Sequence, residues 1–211
     1  MISNTTTLFF WANIFFNFTA SNWLEKYGLR KVYITCAIFS IAAVWMRYYA
    51  LSRYTHDFQY CLIGQSILAV INIFYINGPS KLAAVWFPEH EITLATSAAS
   101  MADPMGLIFG WIAPLYFFSG HDESNEKVLA IILKYNYELT MATTFIGIFF
   151  ILFFKDKPEF YPTAASKHLA EKQFDFWSEL KELMNNKNYI NLCICFSSIY
   201  GFYASFGVLV T

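Results

Sequence analysis

The 211 residues are 57% hydrophobic and 20% aromatic, and only 14% carry a formal charge, for a net charge of −1. A soluble domain holds about a quarter charged residues; here the apolar residues are also bunched into long runs. An ordinary soluble globule is thereby excluded in favour of an all-α, multi-pass membrane protein, and the near-zero net charge gives no reason to expect nucleic acid as a partner.

The sequence predicts six spanning helices. The first covers residues 6–24; no basic leader precedes it, so it reads as a span rather than a signal peptide. The second covers 31–52 and the third 58–85, with Gly78-Pro79 near its end. The fourth covers 93–118, with Asp103-Pro104 near its middle. After the polar loop "SGHDESNEK" comes "VLAIILKYNY", apolar but short, expected to lie at the membrane interface. The fifth span covers 138–154 and the sixth starts near 189. Each approaches the ~20 residues that cross ~30 Å of hydrocarbon. Between the last two lies the longest polar stretch, residues 155–187, where "FDFWSELKELM" places Phe174, Trp177, Leu180, Leu183 and Met184 on one side. That pattern fits a short helix lying on the membrane surface; a disordered tether is the alternative. The chain is therefore expected to divide into a helical half bundle (1–154), a linker (155–187) and one further span (188–211).

Basic residues orient the chain. With Lys26, Arg30 and Lys31 placed in the cytoplasm, Lys81 and the bases of the linker also fall inside, and only Arg47, Arg53, Lys127 and Lys134 fall outside. Cys36, Cys61, Cys193 and Cys195 all sit in apolar runs without a CxxC spacing, and are expected to be buried free thiols. No HExxH, nucleophile elbow or phosphate-binding glycine loop is present, so neither catalysis nor a bound cofactor is expected.

The stretch "NWLEKYGLRK", residues 22–31, packs an acid, a glycine and three bases between two apolar runs. Charges so dense belong in a short loop at the membrane surface. Gly28 permits the tight turn, and Arg30 and Lys31 fix the topology. Glu25 can pair with a base and face the positive end of a neighbouring helix, making a latch that breaks when helical bundles rock. The alternative is a plain solvated turn.

This loop resembles the signature G-x-x-x-D-R-x-G-R-[KR] between helices 2 and 3 of the major facilitator superfamily. Glu25, Lys26, Gly28, Arg30 and Lys31 fit it, while Ser21 and Leu29 depart from it. "IGQSILAVINIFYINGPSKLAAVWF" is similar to the helix 4 region of the feline leukemia virus subgroup C receptor-related (FLVCR) family, through Gly64, Gln65, Pro79, Ser80, Lys81, Ala83, Val85, Trp86 and Phe87. Asn77 stands where that family has glycine. "WMRYYA" and "FKDKP" fit as well. The resemblance implies a transporter working by alternating access, seen here from helix 2 to helix 7, with helix 1 and helices 8 to 12 absent. Its implied substrates are choline or a related organic cation, then haem or a pyridine vitamin. A truncated, non-transporting membrane subunit is the alternative. The expected setting is a lipid bilayer, the plasma membrane in preference to an organelle membrane, with the linker cytoplasmic on the count of basic residues.

Three residues are candidates for the substrate site. Asn72 stands where the family carries a cavity-lining glutamine; the alternative is an interhelical hydrogen bond. Asp103 is an acid inside a span, and such a group is a counter-ion or proton-coupling candidate; the alternative is bonding to backbone groups freed by Pro104. Tyr203 matches a substrate-contacting tyrosine of the family, and its ring can hold an ammonium group by cation–π attraction; the alternative is packing. Gly106 and Gly110 form a GxxxG, expected to mark a close helix approach, and Arg47 reads as a base snorkelling to the outer surface.

Overall fold

A computed structural model describes the backbone of residues 2–52, 58–118, 125–155, 158, 161–163, 166–167 and 176–210. Its helices are α1 (Ile2–Tyr27), α2 (Leu29–Ser52), α3 (Phe58–Trp86), α4 (Glu89–Ser100), α5 (Ala102–Phe118), α6 (Asn125–Phe153), α7 (Phe176–Asn185) and α8 (Lys187–Val210). They form two compact units, Met1–Lys172 and Gln173–Thr211. Among the described residues, four stretches are long and apolar enough to cross a membrane: Leu29–Ser52, Gln59–Trp86, Glu89–Phe117 and Val128–Phe153. Helix α1 has 26 residues, but Asn13, Asn17 and Asn22 interrupt its apolar run. Helix α8 has 24 residues, and the side chains of its last turns lie outside the described residues.

In the first unit α3 is central, packing against α1, α2 and α4, while α2 also packs against α6. The core lies where α1, α2 and α3 converge, on Ala20, Leu24, Leu29, Tyr33, Ala69 and Ile73. Small residues let these backbones approach, because lipid supplies no hydrophobic drive between helices and close van der Waals contact must do the work. A Cβ on Gly64 would lie 2.7 Å from Cγ of Arg47, and one on Gly147 would lie 2.9 Å from Cδ1 of Ile41. On Gly78 it would overlap the Tyr33 hydroxyl. The Tyr33 ring is in turn enclosed by Tyr75, Phe150 and Phe154, with ring centroids 5.4 to 5.8 Å away.

Several polar side chains inside the spans are satisfied by their own helix. On α6, Asn136 donates to the Ile132 carbonyl at 3.0 Å, Thr140 to that of Asn136 at 2.7 Å and Thr144 to that of Thr140 at 2.7 Å. This ladder runs along one stripe, and Trp45 Nε1 of α2 donates to its last hydroxyl at 3.1 Å. Hydroxyls returned to the carbonyl four residues back cost a membrane helix little.

Two expected boundaries need correction. "VLAIILKYNY" is not a separate interfacial segment: it is the first part of α6, which runs unbroken from Asn125 to Phe153. The segment looks too short to span only when it is cut off from residues 138–153; the Asn136 carboxamide at the join is absorbed by the helix itself and does not interrupt the backbone. The expected fourth span begins earlier, at Glu89, and divides at Met101 into α4 and α5. Pro104 has no N–H to give the Ser100 carbonyl, which loosens the ladder at that point, while Met105 still donates to Met101 at 3.2 Å. Asp103 sits in the first turn of α5 and, as expected, near the middle of the membrane-length stretch Glu89–Phe117.

In the second unit, Asn186 joins α7 to α8. Its Oδ1 accepts from the backbone N–H of Asn188 at 3.0 Å and of Tyr189 at 3.3 Å, the action of an N-cap. Helix α7 is amphipathic as expected, with Phe174 outside the described residues. All four cysteines are free, but only Cys36 is buried; Cys193 and Cys195 are exposed, contrary to expectation. Among the described residues of its own unit, α8 packs against α7.

Candidate functional site: the Gly28 turn and the intramembrane polar residues

Helices α1 and α2 are joined by a single non-helical residue. Gly28 adopts φ 82°, the left-handed region that a side chain disfavours. Its N–H reaches the Leu24 carbonyl at 3.2 Å and closes the end of α1, and Val32 N–H donates to the Gly28 carbonyl at 3.4 Å to open α2. This turn brings the end of α1 against the far part of α3. There Lys81 Nζ lies 2.8 Å from Glu25 Oε2, with 19% and 30% of the two side chains exposed.

The same ammonium donates to the Leu24 carbonyl at 2.7 Å. The dipole contribution is thus the reverse of that expected. The acid does not cap the N-terminus of a neighbour; instead a cation sits on the negative C-terminal end of α1, because α3 arrives there with a base and not with its first turn. A half-buried pair of this kind falls between about 1 kcal/mol for an exposed bridge and about 3 kcal/mol for breaking a buried one. Four residues before Lys81, Asn77 Nδ2 donates to Asn17 Oδ1 of α1 at 2.6 Å and to the Ile73 carbonyl at 2.9 Å. The asparagine that departs from the family pattern therefore adds a second polar tie between α1 and α3.

Sequence reasoning found the acid and the glycine but not Lys81 as the acid's partner. A usable signal existed: a third span running back from the outer side returns Lys81 to the surface that holds Glu25. Arg30 is engaged by an interaction of its own. Lys31 is exposed and lines a groove beside α3 instead of joining the latch.

The other candidates lie on separate helices. Asn72 is half-buried on α3 and Asp103 is exposed on α5; neither makes a hydrogen bond or ion pair among the described residues. The side chain of Tyr203, on α8, lies outside the described residues. Gly106 and Gly110 have nothing within 4 Å of where a Cβ would stand, so among the described residues of the first unit their GxxxG meets no helix. Arg47 does not snorkel freely: its stem lies on Gly64, and its Nε is buried without a hydrogen-bond partner.

A family model described as Major Facilitator Superfamily matches residues 1–211. The protein is a member of the major facilitator superfamily. Among curated relatives, the "Choline/ethanolamine transporter FLVCR2" of Rattus norvegicus is 29% identical over 185 residues, 86% of this chain and 33% of that protein. The "Choline/ethanolamine transporter FLVCR1" of Felis catus is 23% identical, covering 92% of this chain and 35% of its own length. The "Solute carrier family 49 member A3" of Danio rerio is 27% identical, covering 90% and 36%. The chain thus spans about a third of the length of these relatives. Membership in this superfamily makes it an integral, multi-pass membrane protein of a transporter family rather than of an enzyme family. The FLVCR resemblance seen in the helix 4 region agrees with these relatives.

Proposed function

We propose that this chain is part of a secondary transporter that moves a small organic cation, choline or ethanolamine in type, by alternating access. The observation that carries the reading is the Glu25–Lys81 pair clamped across the Gly28 turn in a major facilitator bundle. Such a contact joins two helix ends at one membrane surface and can be made in one state and broken in another. The substrate class rests on the names of the FLVCR relatives and on Asp103, an acid exposed on an apolar helix and free to meet a cation. Asn72 and Tyr203 are proposed to line the same path, with Glu25, Gly28, Arg30 and Lys31 governing its opening.

The rest of the proposal follows from length and charge. Further helices, one before α1 and others after α8, complete the two halves; the apolar side chains of α4 and α5, which none of the described residues bury, are the surface they would meet. Residues 155–187 form the cytoplasmic linker between those halves, and the plasma membrane is the proposed location. Uptake of labelled choline by cells expressing the full-length protein tests the reading. Saturable uptake that excess ethanolamine suppresses and haem does not is expected. Uptake at the level of untransfected cells would remove choline as substrate, and suppression by haem alone would move the assignment to that ligand.

A further inference from the structure

A groove of about 660 Å³ runs between α1 and α2 with α3 as its floor. Its walls are apolar, with Phe39, Ile67 and Phe74 along its length; Trp23, Tyr27 and Lys31 stand at the end nearest the Gly28 turn. From Lys31 to Phe39, α2 advances about 12 Å at ~1.5 Å per residue. That is close to the depth of one leaflet, half of the ~30 Å hydrocarbon core. The groove thus has the polarity of a lipid: one cationic end at the surface, two aromatic rings at the level where Trp and Tyr gather, and an apolar channel below.

We infer that this groove holds an anionic glycerophospholipid, its phosphate on the Lys31 ammonium and one acyl chain along α3. The charge decides against the transported solute as occupant. Lys31 repels a quaternary ammonium, and none of the lining residues belongs to α5, where Asp103 lies. On the orientation that the basic residues imply, the groove opens to the cytoplasmic leaflet, where anionic lipids concentrate. The inference goes beyond the transport proposal and does not depend on the substrate.

The test uses the full-length protein in nanodiscs and two photoactivatable lipids that differ only in headgroup, phosphatidylserine and phosphatidylcholine, each with a diazirine on its acyl chain. Labelled peptides are mapped by mass spectrometry. The serine lipid is expected to label peptides from α2 and α3 that line the groove. Lys31→Glu is expected to lower that labelling about tenfold while the choline lipid is unaffected. Ile67→Trp, which fills the channel, removes labelling by both. Thermal unfolding of each variant checks that it folds; if Ile67→Trp does not, Lys31→Glu alone decides. Equal labelling by both lipids, unchanged by Lys31→Glu, would reduce the occupant to ordinary surrounding lipid and overturn the inference. No labelling of groove peptides would overturn it too, by showing that protein covers the groove.

Discussion

Gly28 and Gly78 are positions where a single added carbon changes the packing of whole helices. At Gly28 the constraint is conformational: an alanine held at φ 82° costs about 1–2 kcal/mol. Gly28→Ala is expected to lower the thermal midpoint, and Gly28→Asn to lower it less, since asparagine tolerates this region; a scan of purified protein separates them. At Gly78 the constraint is steric. Gly78→Ala is expected to cost about 1–3 kcal/mol alone, and less than about 0.5 kcal/mol in a Tyr33→Ala background, because Tyr33 is the group in the way. Equal costs in both backgrounds would show that the overlap is not what keeps a glycine there. Gly28 was legible because a lone glycine among charges between two apolar runs leaves few other readings. Gly78 was legible only as the glycine before Pro79 near the end of its span; its partner Tyr33 lies on another helix, and no local pattern announces a contact across such a separation.

For the helices, the same divide holds between what is local and what is not. The four membrane-length spans and the amphipathic α7 follow from runs and periodicity, which act within one segment. The unbroken α6 and the division at Met101 did not follow, because hydropathy weighs side chains whereas helix continuity depends on backbone hydrogen bonds. Lys81 and Glu25 are 56 positions apart and meet only because α3 returns to the surface where α1 ends. The latch itself yields a prediction. Glu25→Lys and Lys81→Glu are each expected to shift the balance between inward- and outward-open states by about tenfold, as leaving one charge unpaired removes ~1–2 kcal/mol from one state. The double swap is expected to restore the balance, as read by spin labels on the two membrane surfaces. Failure of the swap to restore it would mean that the charges act separately.

Across the whole molecule, burial is uneven. The core gathers around α1, α2 and α3, while the membrane-length stretch from Glu89 to Phe117 buries none of its side chains. Gly106→Leu is therefore expected to leave the stability of the 1–211 segment unchanged, since nothing stands within 4 Å, yet to destabilise the full-length protein if further helices pack on that face. Equal melting in both contexts would leave lipid as the neighbour of α5. The polar contacts share this unevenness: the Glu25–Lys81 pair is made within the first unit, whereas Asn72 and Asp103 hydrogen-bond to none of the described residues. The residue types proposed for the path come from the sequence alone; whether such residues converge is set by helices packing around a common space, which no local pattern encodes.

The most direct test is uptake of labelled choline into proteoliposomes by the full-length protein, wild type and Asp103→Asn in parallel across pH. The account predicts saturable uptake by the wild type and a loss of at least about tenfold, or an altered pH profile, in the variant. Absence of wild-type uptake would contradict the assignment of a choline-like cation, and identical uptake by both proteins at every pH would remove Asp103 from the transport path.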